Sequence, residues 1–197
     1  MTLRLNGATS GYTEIDAPAV AGSNTLVLPT GNGSSGQVLT TNGSGVLSFA
    51  QGGRILQVAQ ATKTDIASTA STSFVDISGL STSITVANSS NKVLVFVQLG
   101  GAANNPYTAL FNLVRGATTL AQPDTGSEKA SLNVFAGGGS ASLGGHALIW
   151  LDSPATAGSI TYKVQWRSDA GTSYLNRHTG TANYTSVSTI TVMEVAA

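Results

Sequence analysis

The segment that most constrains the fold is residues 26–50, LVLPTGNGSSGQVLTTNGSGVLSFA, which has no charged residue and no helical spacing of apolar positions. It contains two turn units, Gly31-Asn32-Gly33 and Asn42-Gly43, and each follows a short apolar run. Asn-Gly between apolar runs is a strong hairpin signal. An isolated hairpin is marginal in water, so these short strands cannot bury a core alone. We therefore expect another copy of the same segment to complete it.

The order of short motifs in this segment resembles a segment of phage tail-fibre and head-fibre proteins. The matching stretches are LVLPT at 26–30, GQVL at 36–39, NGSG at 42–45 and LSF at 47–49. In those trimeric fibres the segment connects a virion-attachment end to a distal globular domain. The alternative interpretation is a flexible Gly/Ser linker. Apolar side chains such as Val38, Leu39 and Phe49 count against a solvated tether.

The charge of the chain argues against several classes of partner. Charged residues make up 9% of the sequence, with nine basic and nine acidic residues and a net charge of zero. Nucleic-acid binding needs a basic surface to neutralise phosphates, and an electrostatic membrane anchor needs a basic cluster. There is no cysteine, which excludes disulfides, thiolate catalysis and cysteine-ligated zinc.

We expect no targeting signal within residues 1–197. No run approaches the roughly 18 apolar residues of a membrane span, and residues 1–16 contain no apolar signal-peptide core. We expect a protein that is made in a host cytoplasm and exposed on the exterior of a virion, without membrane insertion.

The chain has two compositional regions, a stalk-like segment at 1–53 and a strand-rich region at 54–197. Short β-type runs separated by Gly, Pro, Asn and Asp indicate an all-β sandwich or barrel. The predicted strands of the second region are 54–61, 74–80, 83–87, 92–99, 108–115, 132–135, 140–151, 159–168 and 186–195.

Two of these strands carry more information than the others. Residues 92–99, KVLVFVQL, are apolar on both faces, whereas an antiparallel sheet that faces water alternates. Either a second layer or another subunit must cover the outer face. Residues 186–195 end close to the last residue, and a terminal strand resists fraying when it lies in the middle of a sheet or at a subunit contact.

The second region resembles the globular heads of the tumour-necrosis-factor and complement type, in the form found at the distal ends of phage fibres. The resemblance is carried by residues 55–61, 74–77, 92–99, 162–168 and 188–195. It implies a jelly-roll β-sandwich that packs as a homotrimer through apolar contacts. With the stalk segment, it gives as candidate trimer-interface residues Leu28, Val38, Leu39, Phe49, Leu94 and Phe96.

The residues that could carry chemistry form no recognisable catalytic, cofactor or metal motif. We expect His146 to be a buried core histidine bonded to backbone, and His178 to be exposed in a polar loop. A metal site needs several convergent ligands, and no spacing predicts one. Glycosidase chemistry needs two carboxylates across a sugar, but nine acidic residues allow many uninformative pairs. No G-x-S-x-G motif is present.

The best binding candidate is the predicted loop at 169–178, DAGTSYLNRH, with Tyr174, Asn176, Arg177 and His178. A tyrosine ring that stacks on a sugar, with Asn and Arg hydrogen bonds, suits a surface glycan. The alternative is an ordinary polar loop at the edge of a trimer. A second and weaker candidate contains Asn105 and Tyr107.

These observations predict a non-enzymatic structural protein of a bacteriophage virion. It would form a homotrimeric fibre that contributes to host-surface adhesion or recognition, docks onto tail or capsid proteins through its N-terminal region, and needs no cofactor. The first alternative is a capsid decoration or assembly-stabilising fibre protein without a receptor. A carbohydrate-active enzyme and a bacterial adhesin are further alternatives. Head and tail attachment are equally compatible with the sequence.

Overall fold

The computed structural model describes residues 3–100, 108–135 and 144–197 of the chain. Throughout these residues the regular structure consists of β-strands paired antiparallel, with no helix, so the protein is all-β as predicted. The chain divides into two compact units, Met1–Gly52 and Gly53–Ala197. Each unit is described separately.

The first unit contains two hairpins. Strand β1 (Leu3–Asn6) pairs with β2 (Tyr12–Ile15), and β3 (Gln37–Thr41) pairs with β4 (Leu47–Gln51). The hairpin predicted at Asn42-Gly43 is confirmed, because this turn joins β3 to β4.

Side-chain and backbone geometry explain why Asn42-Gly43 makes this turn. Asn42 Oδ1 accepts hydrogen bonds from the backbone N–H groups of Ser44 at 2.9 Å and Val46 at 3.2 Å. Gly43 has a φ of 82°, a left-handed conformation that glycine adopts without strain. The unit Gly31-Asn32-Gly33 forms no comparable hairpin, so that part of the prediction is wrong. The strand before it is reduced to one parallel bridge, Val27 to Val46, and Pro29 supplies no N–H for a ladder.

The described residues of the first unit form no core of their own. None of the residues 3–50 is buried, and Leu28 is 71% exposed. Phe49 is half-buried and lies against Gly33, where a Cβ atom would come within 2.6 Å of the ring. Val38 and Leu39 of β3 are each about half exposed. These short hairpins are therefore held by hydrogen bonds and local contacts rather than by burial.

Among its described residues, two larger sheets and two small strand pairs build the second unit. One large sheet has the order β12-β8-β17-β5, and the other has the order β10-β9-β13-β7 with β11 also paired to β9. The small pairs are β14-β6 and β15-β16. The strands are β5 (Ile55–Lys63), β6 (Ala67–Thr69), β7 (Val75–Val86), β8 (Lys92–Gly100), β9 (Thr108–Arg115), β10 (Thr118–Leu120), β11 (Leu132–Phe135), β12 (Gly145–Asp152), β13 (Gly158–Ser168), β14 (Ser173–Leu175), β15 (Arg177–His178), β16 (Thr181–Thr185) and β17 (Ser188–Val195).

The core is formed by residues from both large sheets, an arrangement compatible with a β-sandwich. Strand β8 alternates as a pleated strand must: Val93, Val95, Val97 and Leu99 are buried, whereas Leu94 and Phe96 are half-buried on the other face. The buried cluster joins the β8 valines to residues of the other sheet, such as Phe111, Tyr162 and Val164. Strand β17 lies between β8 and β5, so its predicted place in the middle of a sheet is confirmed.

The separate strands predicted at 74–80 and 83–87 are wrong, since both belong to the single strand β7. Its pairing with β13 shifts register between Ser81, opposite Lys163, and Asp76, opposite Gln165. Gly79 lies within this shift with a φ of 86°, so the glycine marks a β-bulge inside one continuous strand. The bulge lets β7 run for twelve residues along β13.

An excursion at residues 121–131 lies against the outer side of β9. It separates β10 from β11, and both strands pair with the same edge of β9. Buried Asn112 on β9 ties the excursion down, because its Oδ1 accepts hydrogen bonds from Gln122 Nε2 at 3.0 Å and the Ser131 N–H at 3.3 Å. This anchor fixes the position from which Glu128 and Lys129 project.

Candidate functional site

The segment predicted as a loop at 169–178 contains two short strands. Strand β14 pairs with β6, and β15 forms a hairpin with β16. The Asp169-Ala170-Gly171 breaker gives a turn, but the residues after it alternate between buried and half-buried positions as a strand does. The prediction of one continuous loop is therefore wrong after residue 172.

Three of the predicted saccharide-binding residues lie together at these strands. The guanidinium carbon of Arg177 lies 4.5 Å from the centre of the Tyr174 ring, a cation–π contact. Arg177 Nε donates a hydrogen bond to the carbonyl oxygen of His178 at 3.1 Å. All three residues are half-buried. For His178 this corrects the predicted exposed loop position, because the β15–β16 hairpin covers part of the ring.

Sequence reasoning missed a fourth member of this group, Tyr184 on β16. Its ring meets the His178 ring edge-on, with a centroid separation of 5.8 Å and an interplanar angle of 71°. Tyr184 is 63% exposed. The Gly180 turn followed by a polar and aromatic run could have predicted a hairpin partner for β15. We call Tyr174, Arg177, His178 and Tyr184 the aromatic–arginine cluster.

Asn176 does not belong to this cluster. Its side chain is fully buried and its backbone is left-handed, with a φ of 58°. Its Nδ2 donates to the carbonyl oxygens of Lys63 and Asp65, and its Oδ1 accepts from Ser188 Oγ at 2.6 Å. These bonds occupy the amide inside the protein, so the structure contradicts the predicted role of Asn176 in binding a glycan. The other candidates, Asn105 and Tyr107, lie outside the described residues.

The aromatic–arginine cluster can bind a polyhydroxylated ligand. Tyrosine rings offer apolar faces with a hydroxyl at the edge, and a guanidinium supplies several N–H donors. His178 Nδ1 accepts a hydrogen bond from the Gly180 N–H at 3.1 Å, which fixes the orientation of the imidazole ring. The cluster therefore combines stacking surfaces with held polar groups.

A second candidate surface is the outer face of the sheet β12-β8-β17-β5. Strand pairing brings Leu151 opposite Leu94, Leu94 opposite Met193, and Met193 opposite Val58, in one continuous row across four strands. In the next row, Ile149 lies opposite Phe96. We call Val58, Leu94, Phe96, Ile149, Leu151 and Met193 the apolar sheet face.

Exposure and charge distinguish this face from an ordinary outer sheet surface. Ile149 is 60% exposed and Val58 is 57% exposed, and the side chains between them are half-buried. Among the paired, described residues that share this side of the four strands, Lys92 is the one charged residue. The predicted pair Leu94 and Phe96 therefore belongs to a larger apolar surface, which Phe96 joins at its border with Thr191 and Gln98. The other four predicted interface residues belong to the first unit, at the exposures given above.

His146 on β12 is half-buried rather than buried, and burial lowers the pKa of its imidazole. Within the described ranges, no group of three or more His, Asp or Glu side chains could hold a metal ion. No helix long and apolar enough to cross a membrane occurs among the residues that were described. Comparison with models of protein families and with curated proteins finds no match to this sequence.

Proposed function

We propose that this chain is a non-enzymatic structural protein of a bacteriophage virion, and that it forms a homotrimeric fibre contributing to adhesion to a host surface. The observation that carries the proposal is the apolar sheet face, a row of apolar side chains across a four-stranded sheet that are exposed at its two ends and half-buried between them. The phage assignment rests on the resemblance of residues 26–50 to fibre segments.

The occupant of the apolar sheet face in this proposal is another copy of the chain. Burying apolar surface in a contact stabilises the complex by about 25 cal/mol per Å² removed from water. A contiguous apolar patch on a surface typically marks an interaction site. A surface with one charge at its end can be buried against a copy without leaving an unpaired charge at its centre. Three copies would close the contact as a ring.

We further propose that the second unit is a jelly roll. Support comes from the order of its longer strands, which alternate between two sheets along the chain. The first strand, β5, pairs with the last, β17, and β7 pairs with the penultimate long strand, β13. Nested pairing of early with late strands is the expected product of two Greek keys folded into a double sheet.

The first unit supports the trimer independently. It buries none of the residues 3–50, yet carries Leu28, Val38 and Leu39 at or above about half exposure. Hairpins of this size need additional strands or another packing surface. Symmetry mates that pair their stalk segments would supply that surface, and residues 17–53 contain no charge that would be buried at the axis.

The adhesive role is assigned to the aromatic–arginine cluster. Its residues belong to β14, β15 and β16, none of which contributes to the apolar sheet face. Assembly through that face would therefore leave the cluster's own strands free to meet a glycan. The ligand would stack on Tyr174 or Tyr184 and accept hydrogen bonds from Arg177.

Electron microscopy of intact phage particles labelled with an antibody against this chain tests the virion assignment. We expect label at fixed positions on the particle exterior. Particles without label would contradict the proposal. Label on the capsid, together with unchanged host adsorption after Tyr184→Ala, would favour the decoration protein over the adhesive fibre.

A further inference from the structure

An unassigned cleft lies on the outer side of the other large sheet, around Arg167 of β13. Trp166 and Ser168 on either side of it are buried, so strand alternation points Arg167 outward. The cleft on one side of Arg167 is lined by Ser73, Phe74, Gly126, Glu128 and Lys129. An adjoining cleft shares Arg167 and Glu128 and adds Asn133 and Asp169.

Arg167 is held in place while its ion-pair partner is exposed. Its guanidinium carbon lies 5.4 Å from the centre of the Phe74 ring, and its Nη2 pairs with the Glu128 carboxylate. The Arg167 side chain is 13% exposed, whereas that of Glu128 is 69% exposed. The guanidinium of Arg167 is therefore packed against the sheet, whereas the carboxylate of Glu128 extends toward it from the excursion at 121–131.

The first cleft carries more positive than negative charge. Lys129 Nζ donates to the backbone carbonyl oxygen of Asp124 at 2.7 Å, and no described carboxylate forms an ion pair with it. In the adjoining cleft, Asp169 Oδ1 accepts hydrogen bonds from the backbone N–H groups of Thr108 and Ala170 at 2.7 and 2.8 Å. Two cations and one exposed carboxylate thus face the first cleft.

We propose that this cleft binds a saccharide that carries a carboxylate, and that Glu128 occupies the position the ligand carboxylate takes. Arginine pairs strongly with carboxylates because its planar fork can donate two parallel hydrogen bonds. Lys129 adds a second cation within the same cleft. The hydroxyl of Ser73 in this cleft, and the amide of Asn133 in the adjoining cleft, are suited to sugar hydroxyls, which both donate and accept hydrogen bonds.

The cleft is independent of the assembly proposed above. Arg167 and Phe74 flank the pairing of β13 with β7, in the sheet that does not contain the apolar sheet face. A monomeric chain whose cleft binds the acidic saccharide would contradict the trimer alone. A trimer whose cleft does not bind it would contradict the binding proposal alone.

Substitutions of Glu128 and Arg167 should change the affinity for an acidic saccharide in opposite directions. Isothermal titration calorimetry measures the affinity of the full chain for a hexamer of galacturonic acid and for a neutral galactose hexamer of the same length. Arg167→Gln should weaken binding of the acidic hexamer by about tenfold or more, because a charge-assisted pair is lost. Glu128→Gln should strengthen it by about threefold or more, because the competing carboxylate is removed.

Matched controls come from an ion pair on the same outer face, Lys163 with Asp76, which lines neither cleft. Lys163→Gln and Asp76→Asn make the same changes in net charge and should alter the affinity by less than about twofold. Lys129→Gln is a second test variant that leaves Arg167 intact if Arg167→Gln proves unfolded by circular dichroism. It should weaken binding more than Lys163→Gln.

Several results would overturn the proposal. They are an acidic hexamer that does not bind, a neutral hexamer that binds as tightly, and a Glu128→Gln variant that binds less tightly. A hexamer of glutamic acid that binds as tightly as the acidic sugar would also overturn it, since the site would then select charge without a sugar.

Discussion

The side-chain amide of Asn176 donates a hydrogen bond to the backbone carbonyl oxygen of Lys63 at a distance of 2.8 Å, across 113 residues of sequence. The same Nδ2 donates to the carbonyl oxygen of Asp65 at 3.0 Å, and the Asn176 N–H donates to the carbonyl oxygen of Gly100 at 2.7 Å. With the bond from Ser188 Oγ to its Oδ1, Asn176 connects the ends of β5, β8 and β17.

Asn176→Asp should destabilise the second unit. Aspartate tolerates a positive φ, so the backbone is retained, but a carboxylate oxygen would replace the donor that faces the carbonyl oxygens of Lys63 and Asp65. We expect the free energy of unfolding to fall by about 3 kcal/mol, the upper end of the range for a buried polar group that loses its partners. Urea unfolding measures this. The control is Asn183→Asp at an exposed position of β16, and equal stability of both variants would contradict the structural role of Asn176.

Glu194 should make stability depend on acid pH. It is fully buried on β17, and burial alone raises the pKa of its carboxyl. Hydrogen bonds from Asn91 Nδ2 at 2.7 Å, Gln57 Nε2 at 2.6 Å and the backbone of Ala87 and Asn88 outweigh burial, so the pKa is held below its ordinary value of 4.5. A lowered pKa in the folded state favours the ionised form. The stabilisation is therefore present above pH 4.5 and is lost as the pH falls through the folded pKa.

Glu194→Gln removes this contribution. The variant should be less stable at neutral pH by about 1–3 kcal/mol, because the NH2 group of the new amide would face N–H groups that donate to the Glu194 carboxylate in the unmodified chain. Its stability should also fall less steeply below pH 4.5 than that of the unmodified chain. The pKa values of Asp65 and Asp76 are also lowered, by Lys63 and Lys163 respectively. Their contributions to the pH dependence are the same in both proteins, so they cancel when the stability of the variant is subtracted from that of the unmodified chain. Parallel stability curves across acid pH would contradict this role for Glu194.

The strands that local pattern specifies were predicted, and the features that depend on distant partners were not. The alternation of Val93, Val95 and Val97 with Leu94 and Phe96 is visible in sequence because side chains alternate across a strand. Asn176 looked like a ligand-binding residue because its partners are backbone groups of other strands, which composition does not reveal. The division of β7 into strands at 74–80 and 83–87 missed its bulge, because a bulge is defined by the register with the partner strand β13, which local pattern does not reveal.

The stalk account predicts that a charge on β3 weakens assembly. Val38→Lys places an ammonium group on a side chain that is about half exposed in the single chain and that the proposed trimer would bury. An unpaired charge at such a contact is costly. Sedimentation over a range of concentrations should show the variant dissociating at a higher concentration than the unmodified chain. Val20→Lys, at a position that is 93% exposed, is the control. Equal dissociation of both variants would make the segment a linker.

The central claim is that copies of this chain cover the apolar sheet face, and the native mass in solution tests it most directly. Sedimentation equilibrium of the unmodified chain should give three times the chain mass of 19.8 kDa. Val58→Glu with Ile149→Glu, on two side chains that are already more than half exposed, should shift the mass toward one chain with the monomer still folded. Ile66→Glu, an exposed apolar residue between β5 and β6, should leave the trimer intact. A stable monomer for the unmodified chain at micromolar concentration would contradict the account.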